Sequence, residues 1–388
     1  MQVKGKEKIV AALDIGYKIC QLDLYKKEEA SILGNIYIGK VKNIAENIRA
    51  AFIEIENGII CYYSMDEKAE PFFVNKKKNH RVCVGDELLV QVSREPIRGK
   101  LPCVTCDLNL AGRYVVLTAK FEPLGFSGKL KAVRKQELRE LLKDALPEDA
   151  GVILRTNSAH ASDEEILEEL EQLYTQLKEI QRKAGMRTCF SKLFAPMPQY
   201  LQILQNLYIE ELEEIITDDQ ELFEVIQAYL EHYGIEERKL RFYQDDLLPL
   251  SKVYSIEKAL REAFSEKVWL KSGGFLVIQQ TEAFVSIDVN TGKYTGKKEV
   301  QETYRKINLE AAGEIARQLR LRNLSGMILI DFINLKREED KKELMHVLQR
   351  YLNEDPVKGN VVDITKLNIV EVTRKKIKKS LVEELAEE

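Results

Sequence analysis

Two apolar runs, each carrying an aspartate at its end and joined by one long helical pattern, constrain this chain more than any other feature. The first reads Ser286-Ile-Asp288-Val-Asn290-Thr-Gly292, and the second Gly326-Met-Ile-Leu-Ile-Asp331-Phe. Between them, Glu299–Arg322 places Ile307, Ala311, Ile315, Leu319 and Leu321 at helical spacing. Strand, helix, strand in this order is a βαβ unit. Its strands run parallel and its crossover is right-handed. Both runs read as buried strands. Asp288 and Asp331 are therefore expected to face one another at the carboxyl edge, where open α/β sheets bind ligands. Asn290, two residues further along an extended chain, points to the same side as Asp288. Two carboxylates and an amide oxygen are hard ligands that suit Mg²⁺, with Mn²⁺ as a substitute. The chemistry they predict is metal-assisted hydrolysis of a phosphodiester. The alternative is that these aspartates cap helices or keep a sheet edge polar.

Composition narrows the field. The chain has 388 residues, enough for two or three domains with cores of their own. Its 59 basic and 63 acidic residues exclude binding to nucleic acid by overall basicity, but not by a local basic groove. The six scattered cysteines do not resemble a disulfide framework, so a reducing cytoplasm is expected. No two of the four histidines have metal-ligand spacing, which leaves hydrolytic chemistry to carboxylates. No apolar run approaches the roughly 20 residues of a membrane span. The start of the chain, with Asp14 breaking its apolar stretch, does not read as a secretory signal.

Along the chain, residues 1–30 read as a strand pair whose loop carries Asp14–Gly16. Asp14 lacks a partner and is taken as structural. Residues 34–118 hold short β-branched and aromatic runs separated by turns, from Asn35-Ile-Tyr-Ile-Gly to Arg113-Tyr-Val-Val-Leu, and suggest a small β-barrel. Its Tyr37, Lys40, Phe52, Tyr62, Tyr63, Arg94, Arg98 and Lys100 supply the aromatics and cations of a single-strand groove. The alternative is that the aromatics are barrel core. Ser162-Asp-Glu-Glu165 forms a capping box that opens a helix to about Lys183, and Ala195-Pro-Met-Pro198 marks a boundary. Arg155-Thr156, ending a strand, could hold a phosphate by a guanidinium fork and a hydroxyl, or form a surface ion pair. Cys103-Val-Thr-Cys106 is a weak metal signal, because strand positions three apart face opposite sides. The run Arg374–Lys379 reads as a solvated helix face, with RNA contact as the lesser option.

Taken together, several stretches resemble the catalytic half of the ribonuclease E/G family. They include Gly34-Asn-Ile-Tyr-Ile-Gly-Lys-Val, Gln91-Val-Ser-Arg-Glu-Pro, Ala111-Gly-Arg-Tyr-Val-Val-Leu and Gly151-Val-Ile-Leu-Arg-Thr. The most specific are Ser272-Gly-Gly-Phe-Leu-Val-Ile, Glu282-Ala-Phe-Val-Ser-Ile-Asp-Val-Asn-Thr-Gly, Asn308-Leu-Glu-Ala-Ala-Gly-Glu-Ile-Ala-Arg-Gln-Leu-Arg-Leu-Arg and Gly326-Met-Ile-Leu-Ile-Asp-Phe. The resemblance runs to about Leu381, and the shorter ribonuclease G form is the closer analogue.

The resemblance implies an α+β multidomain mosaic. A ribonuclease-H-like subdomain would span 1–33 and 201–265, interrupted by an S1-like OB-fold barrel at 34–118 and a 5′-monophosphate sensor at 119–200. A deoxyribonuclease-I-like α/β catalytic subdomain and tail would occupy 266–388. It further implies that Asp288 and Asp331 bind magnesium and that Asn290 is an active-site asparagine. Phe52, Tyr62 and Lys100 would contact RNA, with Tyr62 keeping a stacking face where the family has phenylalanine. Arg155 and Thr156 would bind the 5′-phosphate.

Two departures stand out. Ser127-Gly128-Lys129 lacks one of the sensor's two cations. No CPxC zinc segment is found, so no zinc is expected, and a homodimer, if formed, would not be zinc-linked. The function implied is a cytoplasmic, Mg²⁺-dependent endoribonuclease. It would cut single-stranded messenger or ribosomal precursor RNA to 3′-hydroxyl and 5′-monophosphate ends. The rivals are a non-catalytic S1-type RNA-binding protein and, less favoured, a deoxyribonuclease.

Overall fold

Period-two burial in the last third of the chain builds a six-stranded sheet that the described helices cover on one side only. This arrangement is seen in a computed structural model that describes all residues except 27–30, 68, 76–80, 97–99, 120–123, 207–211, 236–238, 293–299 and 387–388. The strands lie in the spatial order Lys267–Trp269, Phe275–Gln280, Phe284–Asn290, Gly326–Asp331, Ile369–Arg374, Gly359–Ile364. Only the pair Phe284–Asn290 and Gly326–Asp331 is parallel; every other pairing in the sheet is antiparallel. The crossover between the parallel strands includes helix Val300–Leu321, as the βαβ reading requires.

Odd residues Val285, Ile287 and Val289 join Ile328 and Ile330 in a core with Ile307, Ala311 and Ile315 of that helix and Leu344 and Leu348 of helix Glu338–Asn353. Even residues Phe284, Ser286 and Asp288 face away from this core. The expectation of buried strands is therefore corrected: the strands are half-buried, because the described helices cover one face alone. The long helix also buries Leu321 against Ile19, Leu22 and Leu24 of strand Ile19–Lys26, which hairpins with Lys6–Asp14 as expected. These elements, with helix Gln220–His232, belong to one compact unit made of residues 1–27, 216–234 and 240–388.

The second unit comprises residues 28–215 and 235–239. Its five-stranded, OB-like barrel runs Ile36–Ala45, Ala50–Glu54, Ile60–Ser64, Cys103–Thr105, Glu87–Arg94 and closes back on the first strand. Strand Val115–Thr118, grouped with the barrel from sequence, pairs instead with Asn109–Ala111 and Gly151–Leu154. Helix Asp163–Ala184 covers that sheet through Ile166, Leu170 and Leu177. It opens with the predicted capping box, in which Ser162 and Glu165 exchange side-chain and backbone hydrogen bonds at 3.2 and 2.8 Å.

The multidomain α+β class follows from these two units. Among the described residues, no helix is long and apolar enough to cross a membrane. The basic run 374–379 is not a helix face. Arg374 ends a strand and is buried, donating to Asp355 Oδ2 at 2.8 Å, Asn323 Oδ1 at 3.0 Å and the Leu324 carbonyl at 2.9 Å. A buried guanidinium needs such partners to offset desolvation.

Candidate active site and nucleic-acid interface

Asp288 and Asp331 are direct register partners across the two parallel strands. Neighbouring strands lie about 4.8 Å apart, so the two carboxylates start from adjacent backbone positions. Both side chains are exposed on the uncovered sheet face. There they line a shallow groove of about 220 Å³ with Val277, Gln279, Ser286 and Ile369. Asp331 is the last residue of its strand and Asp288 its register partner, so the two meet at the carboxyl end of the parallel pair as expected, on the outward face of the pleat. Asn290 donates from Nδ2 to Asp288 Oδ2 at 2.7 Å. Its amide orients a carboxylate oxygen, where the sequence suggested a third oxygen ligand.

The donor set fits a magnesium ion. Mg²⁺ keeps several waters and takes one or two carboxylates, and two exposed carboxylates side by side meet that need. Among the described residues, no group of three or more His, Cys, Asp or Glu side chains gathers into a fuller cage.

The strand ends that carry these groups are fixed from the long helix. Asn308 is fully buried, donates from Nδ2 to the Ile333 carbonyl at 2.7 Å, and accepts the Ile333 N–H at 3.1 Å. Ile333 lies two residues beyond Asp331. Two residues further along the helix, Glu310 accepts the N–H groups of Lys271 at 2.7 Å and Ser272 at 3.3 Å. It thereby pins the Ser272-Gly273-Gly274 turn against the other strand end. A Cβ on Gly274 would come within 2.8 Å of the Asn290 carbonyl oxygen, and one on Gly292 would overlap the Gly273 carbonyl. Gly292 also has φ of 61°, in the left-handed region.

In the second unit, the Ser127 and Thr156 hydroxyls are 2.8 Å apart. Arg155 Nη1 donates to the Gly112 carbonyl, and the Arg155 N–H to the Tyr114 carbonyl at 2.8 Å. The 112–115 backbone is held in turn by Glu169, whose buried carboxylate accepts from Arg113, Tyr114 and Val115 at 2.6, 2.7 and 2.8 Å. Burial pushes the Glu169 carboxyl up, and the three N–H donors oppose that shift. Arg155 and Thr156 are thus brought together with Ser127 at one end of the sheet.

The barrel aromatics divide. Tyr37 and Tyr63 point inward and are core. Phe52 and Tyr62 point outward as register partners, with ring centroids 6.4 Å apart and planes at 80°. The same row continues through Cys103 to Arg94 on the next two strands. Lys100 is exposed in the segment whose Pro102 carbonyl accepts the Tyr62 N–H at 2.8 Å. Lys40 sits opposite Glu54 and Glu87, and Arg98 lies outside the described residues. Cys106 is buried, its thiol pushed up to about 12 mainly by desolvation, whereas Cys103 is partly exposed on the aromatic row.

The Ribonuclease E/G family model matches residues 109–377. The chain belongs to the ribonuclease E/G family. It is 30% identical to Ribonuclease G of Haemophilus influenzae, over all of this chain and 81% of that protein. It is 29% identical to Ribonuclease G of Escherichia coli K12 over the same shares. Ribonuclease E of Nostoc sp. is 31% identical over 89% of this chain and 51% of its own length. The stretch matched by the ribonuclease E/G family contains Arg155, Thr156, Asp288, Asn290 and Asp331. Phe52, Tyr62 and Lys100 precede it and fall within the full-length likeness to the two ribonuclease G proteins.

Sequence reasoning did not single out Asn308, Glu310 or Glu169. The signal available for Asn308 was a polar residue directly after Ile307, among the apolar positions of a core-facing helix. Such a residue must find partners when buried.

Proposed function

We propose that the protein is a magnesium-dependent endoribonuclease that hydrolyses single-stranded RNA to 3′-hydroxyl and 5′-monophosphate ends, in RNA processing and decay. Endoribonuclease activity follows from membership of the ribonuclease E/G family. The residue assignments rest on one observation above the others: Asp288 and Asp331 are register partners on an exposed sheet face, with Asn290 bonded to the first. Asp288 and Asp331 would hold Mg²⁺, for which Mn²⁺ could substitute. When bound, the ion supplies Lewis-acid stabilisation of charge on the reacting phosphodiester. Asn290 fixes the Asp288 carboxylate and presents its remaining amide groups to the phosphate.

Phe52 and Tyr62 would stack bases on the outer barrel face, with Arg94 and Lys100 meeting phosphates. Arg155 and Thr156 would take a 5′-monophosphate, which a guanidinium fork and a hydroxyl suit. In this reading the barrel is S1-like, residues 119–200 are the sensor region, and the six-stranded sheet with its helices is a deoxyribonuclease-I-like catalytic subdomain. The 1–33 and 201–265 segments form a ribonuclease-H-like one. The six free cysteines agree with a cytoplasmic setting.

The test incubates labelled RNA and DNA oligomers with and without Mg²⁺. Cleavage of RNA alone, dependent on the metal and lost in Asp288→Asn and Asp331→Asn, supports the reading. RNA binding without cleavage by the parent protein would favour the non-catalytic rival, and cleavage of DNA would favour the deoxyribonuclease.

A further inference from the structure

The open sheet face carries a second set of groups beside the carboxylates. Trp269 and Phe275 are register partners, and Phe275 is in turn the register partner of Asn290. Two strand spacings of about 4.8 Å therefore put Trp269 roughly 10 Å across the sheet from the Asn290 backbone. The two rings sit 5.3 Å apart, tilted at 58°. Lys267 Nζ lies 4.3 Å from the Trp269 centroid and 3.6 Å from that of Phe275. Val268, between Lys267 and Trp269, points into the core. All three groups therefore share the face that carries Asp288 and Asp331.

Trp269 is 64% exposed. Single exposed apolar residues are common and need no explanation. Here, however, an exposed indole, a second ring and a cation held over both lie in line with the candidate reacting groups. A nucleotide needs a π-surface for its base and a positive charge for its phosphate, and both are offered together. Val277, which lines the Asp288–Asp331 groove, is the register partner of both Lys267 and Asp288, and this continuity selects the occupant.

We propose that Trp269, Phe275 and Lys267 form a base-stacking subsite for one nucleotide of single-stranded RNA beside the scissile phosphate. The inference rests on the assignment of Asp288 and Asp331 given above and extends it. The base lies on the exposed indole, and the Lys267 ammonium meets the phosphate linking that nucleotide to its neighbour. Strand pairing fixes the distance between this base and the bond that is cut, so the subsite sets the cleavage register.

The chain has a single tryptophan, so its intrinsic fluorescence reports this subsite alone. The experiment titrates an end-labelled single-stranded RNA oligomer into the full-length Asp331→Asn protein. Anisotropy of the RNA label and emission of Trp269 are followed together. Saturable quenching with the same midpoint as the anisotropy is expected, and it should disappear when one abasic nucleotide occupies one defined position. Full RNA binding with unchanged tryptophan emission would overturn the proposal, as would quenching insensitive to every abasic position.

In the otherwise unaltered protein, Trp269→Ala should raise KM about tenfold, while Trp269→Phe, which keeps a stacking face, stays within about threefold. Parental KM in Trp269→Ala would also overturn it. If Asp331→Asn itself retains cleavage, the catalytic assignment fails, and the fluorescence result still decides the stacking subsite separately.

Discussion

Gly112 lies flat against the buried carboxylate of Glu169: a Cβ on Gly112 would come within 2.6 Å of all three carboxyl atoms. The same glycine's carbonyl receives the Arg155 guanidinium. Adding one methyl group must therefore displace either the carboxylate or the backbone that aims Arg155. Gly112→Ala should cost about 1–3 kcal/mol of stability through overpacking. It should also lower the rate advantage of 5′-monophosphorylated over 5′-hydroxylated RNA. Urea unfolding and paired rate measurements on the two substrates check this. A destabilised protein with an unchanged 5′ preference would show that the Gly112–Arg155 contact does not serve phosphate recognition.

Gly128 offers the opposite experiment. A Cβ there meets nothing within 4 Å, and Gly128 is not among the glycines with positive φ. Gly128→Arg should therefore fold normally and place a cation next to Ser127, which sits against Thr156. We expect the 5′-monophosphate preference to rise several-fold, with the rate on 5′-hydroxyl RNA unchanged. An unaltered ratio would mean that position 128 does not face the bound phosphate.

Replacing either carboxylate should separate cleavage from binding. If these carboxylates hold the metal as proposed, Asp288→Asn or Asp331→Asn removes a charge from that site and several kcal/mol of transition-state stabilisation. At about 1.4 kcal/mol per tenfold, the rate falls on the order of a hundredfold or more. Affinity for a single-stranded oligomer should stay near parental, because the barrel row of Phe52, Tyr62 and Arg94 lies on other strands. Single-turnover rates and binding isotherms on the same RNA decide the matter. Near-parental cleavage in Mg²⁺ would remove that residue from the site.

Asn308 tests whether the backbone beyond Asp331 must be held. Asn308→Ala leaves the Ile333 N–H and carbonyl without their side-chain partner, at a cost of about 1–3 kcal/mol in stability. Because Ile333 follows Asp331 by two residues, we also expect a lower kcat and a higher Mg²⁺ requirement, with RNA affinity retained. A purely structural role would lower the unfolding midpoint and leave the Mg²⁺ dependence of the rate untouched. Rate measurements across a magnesium series distinguish the two.

Local signals carried much of the architecture. The Ser162–Glu165 capping box opens its helix where expected, and the βαβ order around helix Val300–Leu321 places Asp288 opposite Asp331. What stayed hidden depends on partners distant in sequence. Strand composition alone does not tell whether helices cover one face or two, so the outward aim of both aspartates emerged only with the sheet assembled. Tyr63 and Tyr62 are adjacent in sequence, yet one fills the barrel and the other faces out, a division set by strand register. Arg374 reads as part of a basic run until Asp355, Asn323 and Leu324 converge on it. Asn308, Glu310 and Glu169 act on backbone atoms 25 to 56 residues away, beyond the reach of any periodicity.

Because the described helices cover one side only of the proposed catalytic sheet, its strands can change on alternate residues with separate results. Substitutions at Val285, Ile287, Ile328 or Ile330 meet tightly fitted helices and are felt as lost stability. Substitutions at Lys267, Trp269, Gln279, Ser286 or Leu329 meet whatever lies on the outward face, and the folded state hardly registers them. A lineage of such enzymes is therefore free to drift in which RNA sequences it cuts while its melting temperature stays put. Random mutagenesis confined to the outward positions should yield altered cleavage patterns at a far higher frequency than unfolded protein.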